Sequence, residues 1–300
     1  MTQPIDIEPD DIKSIPTYRA AYSDRTALLM AKLARRAYHP FHVDDNAFSA
    51  FQSEFGTVGL NECVPLVDGR TGTAGFVVAG PDIIVVVFRG TEDLLDWRTN
   101  MRVKLVELQG GVQVHRGFYA AYEPIKKALF DTVRRMLKTK TRPVYIAGHS
   151  LGGALAVMAT AELANDEEAE VRDSIAACYT FGCPKAGDRT FDQYVKVPLY
   201  RITNGVDLVP AVPPILSGYK HVGDTRYYGK LGISPLRRPP NIIQKVWGTV
   251  RGLLLIARTR QLLNIADHSM NVYVAKLEAW AKAVAAEAQE RRKKTADPTT

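Results

Sequence analysis

The stretch Val144-Tyr145-Ile146-Ala147-Gly148-His149-Ser150-Leu151-Gly152-Gly153, followed by an Ala-, Leu- and Met-rich run to Leu163, decides the fold. A bare Gly-x-Ser-x-Gly is common by chance in 300 residues, so the flanks carry the meaning. Four apolar residues precede the motif and a helical run follows it. That is the strand, sharp turn and helix on which a nucleophilic serine is held out. Gly148 and Gly152 stand two residues either side of Ser150, where a Cβ would crowd the turn. Gly153 and Ala154 let the helix pack closely on the strand. The helix N-terminus aims its amides at the place where negative charge would develop. The bland alternative is a helix-capping serine between glycines. His149 is adjacent in sequence, so its ring projects away from Ser150 and reads as a packed, structural histidine.

Outward from this segment, strands alternate with helices. Helices are expected from about Ser23 to Tyr38 and from about Phe118 to Lys138, the second with Ile125, Leu129, Val133 and Met136 along one stripe. Gly80-Pro81-Asp82 separates two strand-like runs, Gly75 to Ala79 and Ile83 to Phe88. The second is a nearly continuous apolar run, which suits a strand covered on both faces. Further strands are expected at Ala176 to Phe181 and Leu199 to Ile202, and a charged helix from about Asn271 to Lys293. The pattern predicts an α/β class, with a mostly parallel central sheet and helices on both faces. The expected organisation is an N-terminal extension over 1–22, one domain over 23–280 and a charged tail over 281–300.

With 46% hydrophobic and 24% charged residues, the composition is that of a globular chain large enough for a sizeable core. Cys63, Cys178 and Cys183 have no metal-ligand spacing and read as buried thiols rather than a disulfide framework. The N-terminus is acidic and lacks the basic and apolar regions of a signal peptide, and no apolar run is long enough for a spanning helix. A cytoplasmic or peripheral membrane location is therefore expected. Charge is uneven: residues 225–266 hold eight basic residues and no acid, or +8 against +7 for the whole chain. No recognition motif accompanies that charge, so nucleic acid is not the expected partner.

With a strand-borne nucleophile of this kind, chain order runs nucleophile, acid, base, the order of an α/β-hydrolase fold. Only His221 and His268 follow Ser150 as possible bases. His268 is preferred, because the loop after the last strand must reach back over the serine, and Asp267 and Ser269 suit a helix start. Asp207 follows directly on a predicted strand and is the preferred acid, against a turn-forming aspartate before Val209-Pro210. Ser150, Asp207 and Thr91 each follow a different strand end, which brings all three to one rim. Oxyanion donors are expected from the Leu151 amide and from Thr91.

Several blocks appear in one order: VVVFRGTED (85–93), VHRGFYAAY (114–122), IAGHSLGGALA (146–156), YTFGCPKAGD (179–188), YRITNGVDLVPAVPP (200–214), YKHVGDTRYY (219–228) and DHSMNVYV (267–274). With them the chain resembles the class 3, fungal-type triacylglycerol lipases over roughly residues 28–275. The resemblance implies catalytic Ser150, Asp207 and His268, and oxyanion donors Thr91 and Leu151. It also implies a lipid ester substrate, with neither metal nor cofactor, and gives His221 and His115 structural parts. Phospholipid or other polar esters are an alternative substrate class, and a non-catalytic lipase-like module a third reading. In secreted members a lid helix follows the oxyanion strand. Here that stretch is 92–101, with Leu94, Leu95 and Trp97 as its apolar side, and Trp97 reads equally as a lid aromatic or as an anchor to the core.

The basic insert, about 229–265, places Ile242, Ile243, Val246, Trp247, Val250, Leu253 and Leu254 on one helical face, flanked by Lys245 and Arg251. Such a helix suits an anionic membrane surface or a lid. A helix packed on the domain with solvated charges is the other reading.

Overall fold

The computed structural model describes residues 6–13, 15, 21–91, 104–108, 111–205, 207–213, 218–229 and 267–296. Lid candidates Leu94, Leu95 and Trp97, and the basic insert beyond Gly229, lie outside the described residues.

The chain runs α1 (Pro9–Lys13), α2 (Asp24–Arg36), α3 (Asp45–Thr57), β1 (Glu62–Asp68), β2 (Thr73–Ala79), β3 (Ile84–Phe88), β4 (Leu105–Leu108) and β5 (Val112–His115). It continues α4 (Arg116–Thr139), β6 (Val144–His149), α5 (Leu151–Leu163), α6 (Ala169–Ser174), β7 (Ile175–Phe181), α7 (Arg189–Tyr194), β8 (Leu199–Asn204), β9 (Asp224–Tyr228) and α8 (Met270–Ala296). Seven strands form one sheet in the order β1-β2-β3-β6-β7-β8-β9, while β4 and β5 form a separate hairpin. The first two pairings are antiparallel and the rest parallel.

Strand alternation divides the core into two layers. Ile84, Val86, Phe88 and Ile146 face α4 and α5. Val85, Val87, Tyr145 and Ala147 face α2, α3 and α8. Burial on both faces explains the unbroken apolar runs of β3, β6 and β7. The α5 helix is buried nearly all round, so it shows almost no polar stripe. On α2, Ser23 caps the start by accepting the Thr26 amide.

The three cysteines are free and buried. No helix among the described residues is long and apolar enough to cross a membrane. Part of the segment set apart as an N-terminal extension instead packs on the domain: Ile7 and Ile15 are buried in the second layer. Lys32 and Arg35 of α2 pair with Asp11 and Asp6 there. The boundary expected at residue 280 falls within α8, which continues to Ala296.

Candidate active site

Parallel pairing puts several strand ends on one rim. Phe88 of β3 sits opposite Gly148 of β6, and His149 opposite Phe181 of β7. Ser150 follows β6 with φ 56°, the one non-glycine residue of positive φ among the described residues. Such a backbone strains an L-residue and persists only where the surroundings enforce it. Here they do: the Ser150 amide donates to the Phe181 carbonyl at 2.9 Å. A Cβ on Gly148 would run into the Gly152 carbonyl, and one on Gly152 would lie 2.6 Å from the Arg89 carbonyl carbon. The glycines of the motif thus let the first turn of α5 sit against the end of β3. Gly90, two residues past β3, lies against the same turn: a Cβ there would stand 2.9 Å from the Ser150 Cβ.

Asp207 lies three residues beyond β8, and His268 two residues before α8. His268 Nδ1 and Asp207 Oδ2 are 2.8 Å apart, both side chains almost fully buried. The same Oδ2 accepts the Tyr273 hydroxyl at 2.7 Å, and Oδ1 accepts the Val209 amide at 2.9 Å. Burial and the Asp207 charge push the Tyr273 phenol well above its ordinary pKa, so it remains a donor. Ser269 starts α8, with its hydroxyl accepting the Asn271 amide and its carbonyl those of Val272 and Tyr273. Asn204 at the end of β8 donates to the Asp267 carbonyl at 2.6 Å.

Gly182 joins the acid–base pair to the serine strand. It follows Phe181 with φ +55°, and a Cβ there would stand 2.7 Å from Asp207 Oδ2 and 2.9 Å from His268 Nδ1. On the other side, the His149 and His268 rings lie 4.4 Å apart. Ser150 Oγ and His268 Nε2 are both buried, and neither has a hydrogen-bond partner among the described residues. A buried, unmet donor–acceptor pair at one rim is costly in a structural element and useful in a reactive one. No group of three His, Cys, Asp or Glu among the described residues is placed to hold a metal ion.

The other histidines are held elsewhere. His221 Nε2 donates to the Pro210 carbonyl at 2.7 Å. His115 caps α4 by accepting the Gly117 and Phe118 amides, and burial lowers its pKa to about 4. Sequence reasoning missed Tyr273, Tyr38 and Lys185. Buried Lys185 donates to the Ala211 and Pro213 carbonyls, each at 2.6 Å, and so ties down the loop after Asp207. For Lys185 the signal was a lysine inside the otherwise apolar, glycine-bounded run after β7.

Residues 85–217 match the family model described as lipase (class 3). The chain is 34% identical to a lipase of Rhizomucor miehei over 147 residues, 47% of this chain and 40% of that one. Over residues 85–217 the chain is therefore similar to the class 3 lipases. It is also 30% identical to phospholipase A1-II 4 of Oryza sativa subsp. japonica over 207 residues, 58% of this chain and 50% of that one. It therefore spans about half the length of the curated relatives it matches. Among solved structures, lipase II from Rhizopus niveus superposes with a TM-score of 0.59 at 25% identity, covering 69% of this chain and 82% of that one. The Rhizomucor miehei triacylglyceride lipase gives 0.60 at 25%, covering 71% and 83%. The class 3 lipase likeness fixes the fold as α/β-hydrolase, with its mostly parallel sheet and helices on both faces.

Proposed function

We propose that this chain hydrolyses carboxylic esters of lipids, acylglycerols foremost, through an acyl-enzyme on Ser150. One observation carries the proposal: a serine strained at positive φ, with its Oγ buried and unmet, beside a histidine whose Nδ1 is engaged by a carboxylate and whose Nε2 is also unmet.

The chemistry follows from that arrangement. Ser150 Oγ attacks the ester carbonyl carbon while His268 Nε2 takes its proton. The carbonyl oxygen becomes an oxyanion, facing the Leu151 amide and Thr91, and each such donor is worth about 3–4 kcal/mol. Collapse breaks the acyl–oxygen bond, and the proton on Nε2 leaves with the alcohol. Water then attacks the acyl-enzyme, giving a proton to His268 and releasing the fatty acid as Ser150 regains its own. Asp207 holds the ring with Nδ1 protonated and stabilises the imidazolium. Asp207, with Tyr273 and Val209 donating to it, stays an acceptor toward the ring.

A phospholipid or other polar ester is the second reading, favoured by the 30% identity to a rice phospholipase A1. The basic segment 225–266 supports work at an anionic lipid surface. A non-catalytic role is disfavoured, since the strained Ser150 and the engaged Asp207–His268 pair stand at one rim with Ser150 Oγ and His268 Nε2 both unmet. The test is hydrolysis of p-nitrophenyl esters of short and long acyl chains, beside triacylglycerol and phosphatidylcholine emulsions. The proposal expects p-nitrophenol release that Ser150→Ala abolishes. Activity surviving in Ser150→Ala would overturn it.

A further inference from the structure

His149 touches two elements that its neighbour Ser150 does not. Its Nε2 lies 2.7 Å from the backbone carbonyl of His268, and its Nδ1 lies 2.6 Å from the Tyr38 hydroxyl. A carbonyl can only accept, so Nε2 carries the proton and donates. In the neutral ring Nδ1 is then an acceptor, and Tyr38 is the donor that completes it. The ring is fully buried, and burial together with the nearby His268 holds its pKa well below the ordinary value. The His149 and His268 rings lie 4.4 Å apart, tilted by 36°. Tyr38 stands just past α2 and lies against Gly90, whose missing Cβ is what admits the hydroxyl. That same Gly90 precedes Thr91 and would carry its Cβ 2.9 Å from the Cβ of Ser150.

We infer that His149 is a positioning residue for the reaction proposed above: it fixes His268 by donating to its main-chain carbonyl, with Tyr38 meeting the other ring nitrogen. The inference rests on the acyl-enzyme reading of Ser150. Asp207 fixes the imidazole of His268 by its Nδ1 edge and His149 fixes the backbone that bears it, so the ring is held from two sides. Without the second hold, residues 267–269 are tied to the sheet by the Asn204 bond to Asp267 and by the Asp207 contact. Nε2 then swings relative to Ser150 Oγ, and a displacement of about 1 Å in such a pair costs on the order of 10²-fold in rate.

Two substitutions separate positioning from packing. In His149→Gln the side-chain amide nitrogen reaches the place of Nε2 and still donates to the His268 carbonyl. In His149→Asn the amide reaches only the place of Nδ1, so the Tyr38 contact stays and the His268 contact is lost. Each variant, with wild type, Ser150→Ala and Tyr38→Phe, is assayed on p-nitrophenyl butyrate. Intact sites are counted from the burst of p-nitrophenol with a p-nitrophenyl phosphonate, so that misfolded protein drops out of kcat. The expected result is kcat per titrated site lowered on the order of 10²-fold in His149→Asn with little change in KM. His149→Gln should recover most of that loss, and Tyr38→Phe should fall between the two. Full kcat per titrated site in His149→Asn, or an equal loss in His149→Gln, overturns the inference. If Ser150→Ala keeps activity or wild type gives no burst, the acyl-enzyme reading has failed, and the inference with it.

Discussion

Asp207→Asn is the substitution whose consequence follows most directly from hydrogen-bond geometry. In the native protein Oδ1 accepts the Val209 amide, while Oδ2 accepts both His268 Nδ1–H and the Tyr273 hydroxyl. An asparagine of the same shape must choose which side keeps the oxygen. Turning the amide nitrogen toward Val209 leaves a buried backbone donor facing a donor, which costs about 1–3 kcal/mol. The oxygen therefore stays on Val209, and the NH2 group faces His268. The imidazole answers by presenting Nδ1 as an acceptor, which moves its proton to Nε2. A protonated Nε2 is no base for Ser150. In triads of this kind the change lowers kcat about 10⁴-fold, or about 5 kcal/mol of barrier. Stability should change far less, because the volume is unchanged and Tyr273 can turn its hydroxyl to accept from the amide. The assay is kcat on p-nitrophenyl butyrate together with a thermal unfolding midpoint. A variant within tenfold of wild type, with an unchanged fold, would refute the claim that Asp207 sets the tautomer of His268.

Three further outcomes are expected. Gly182→Ala forces a Cβ against Asp207 Oδ2 and His268 Nδ1 at positive φ; the backbone alone costs about 1–2 kcal/mol. It should lower the unfolding midpoint and reduce kcat on the order of 10²-fold, and unaltered kinetics would contradict the crowding. His115 takes a proton near 6.5 when unfolded but only at about 4 when folded. Stability should therefore fall as pH drops from about 6.5 towards 4, with the buried His149 adding in the same direction. His115→Asn, which keeps a cap for α4, should flatten that slope in urea titrations, and an unchanged slope counts against it. Deleting residues 236–260 removes much of the basic segment and should weaken binding to phosphatidylserine vesicles in a salt-dependent way; equal binding with and without the segment would sink its docking role.

The elements legible in the sequence were those that bury themselves. The β3, β6 and β7 strands and α5 are apolar on every side, so their runs stood out, and the glycines around Ser150 marked the turn. The edges of the sheet did not stand out. β1 carries Pro65 and alternates between burial and exposure, and β9, Asp-Thr-Arg-Tyr-Tyr, is mostly half-exposed. It exists through its register with β8 and a hydroxyl contact between Tyr22 and Tyr228. For α3 a signal was present: Phe48, Phe51 and Phe55 recur at helical spacing behind Asp44, which caps the helix. At the site, Ser150 and Asp207 were legible because each follows a strand end. Their supports were not, because Tyr38 reaches His149 from 111 residues away and Tyr273 reaches Asp207 from 66. Pairings at that distance leave no local pattern. For His149 the sequence indicates only packing; the contact with the His268 carbonyl gives that packing a direction.

The central claim is that Ser150 becomes acylated with His268 as its base. Its most direct test is to mix the enzyme with a slowly deacylating p-nitrophenyl ester, quench at acid pH and map the modified peptide by mass spectrometry. The account predicts one acyl group per chain, on Ser150, absent from Ser150→Ala and formed far more slowly in His268→Ala. Hydrolysis at the full rate with no acyl group on Ser150, or with the group on another residue, would contradict it.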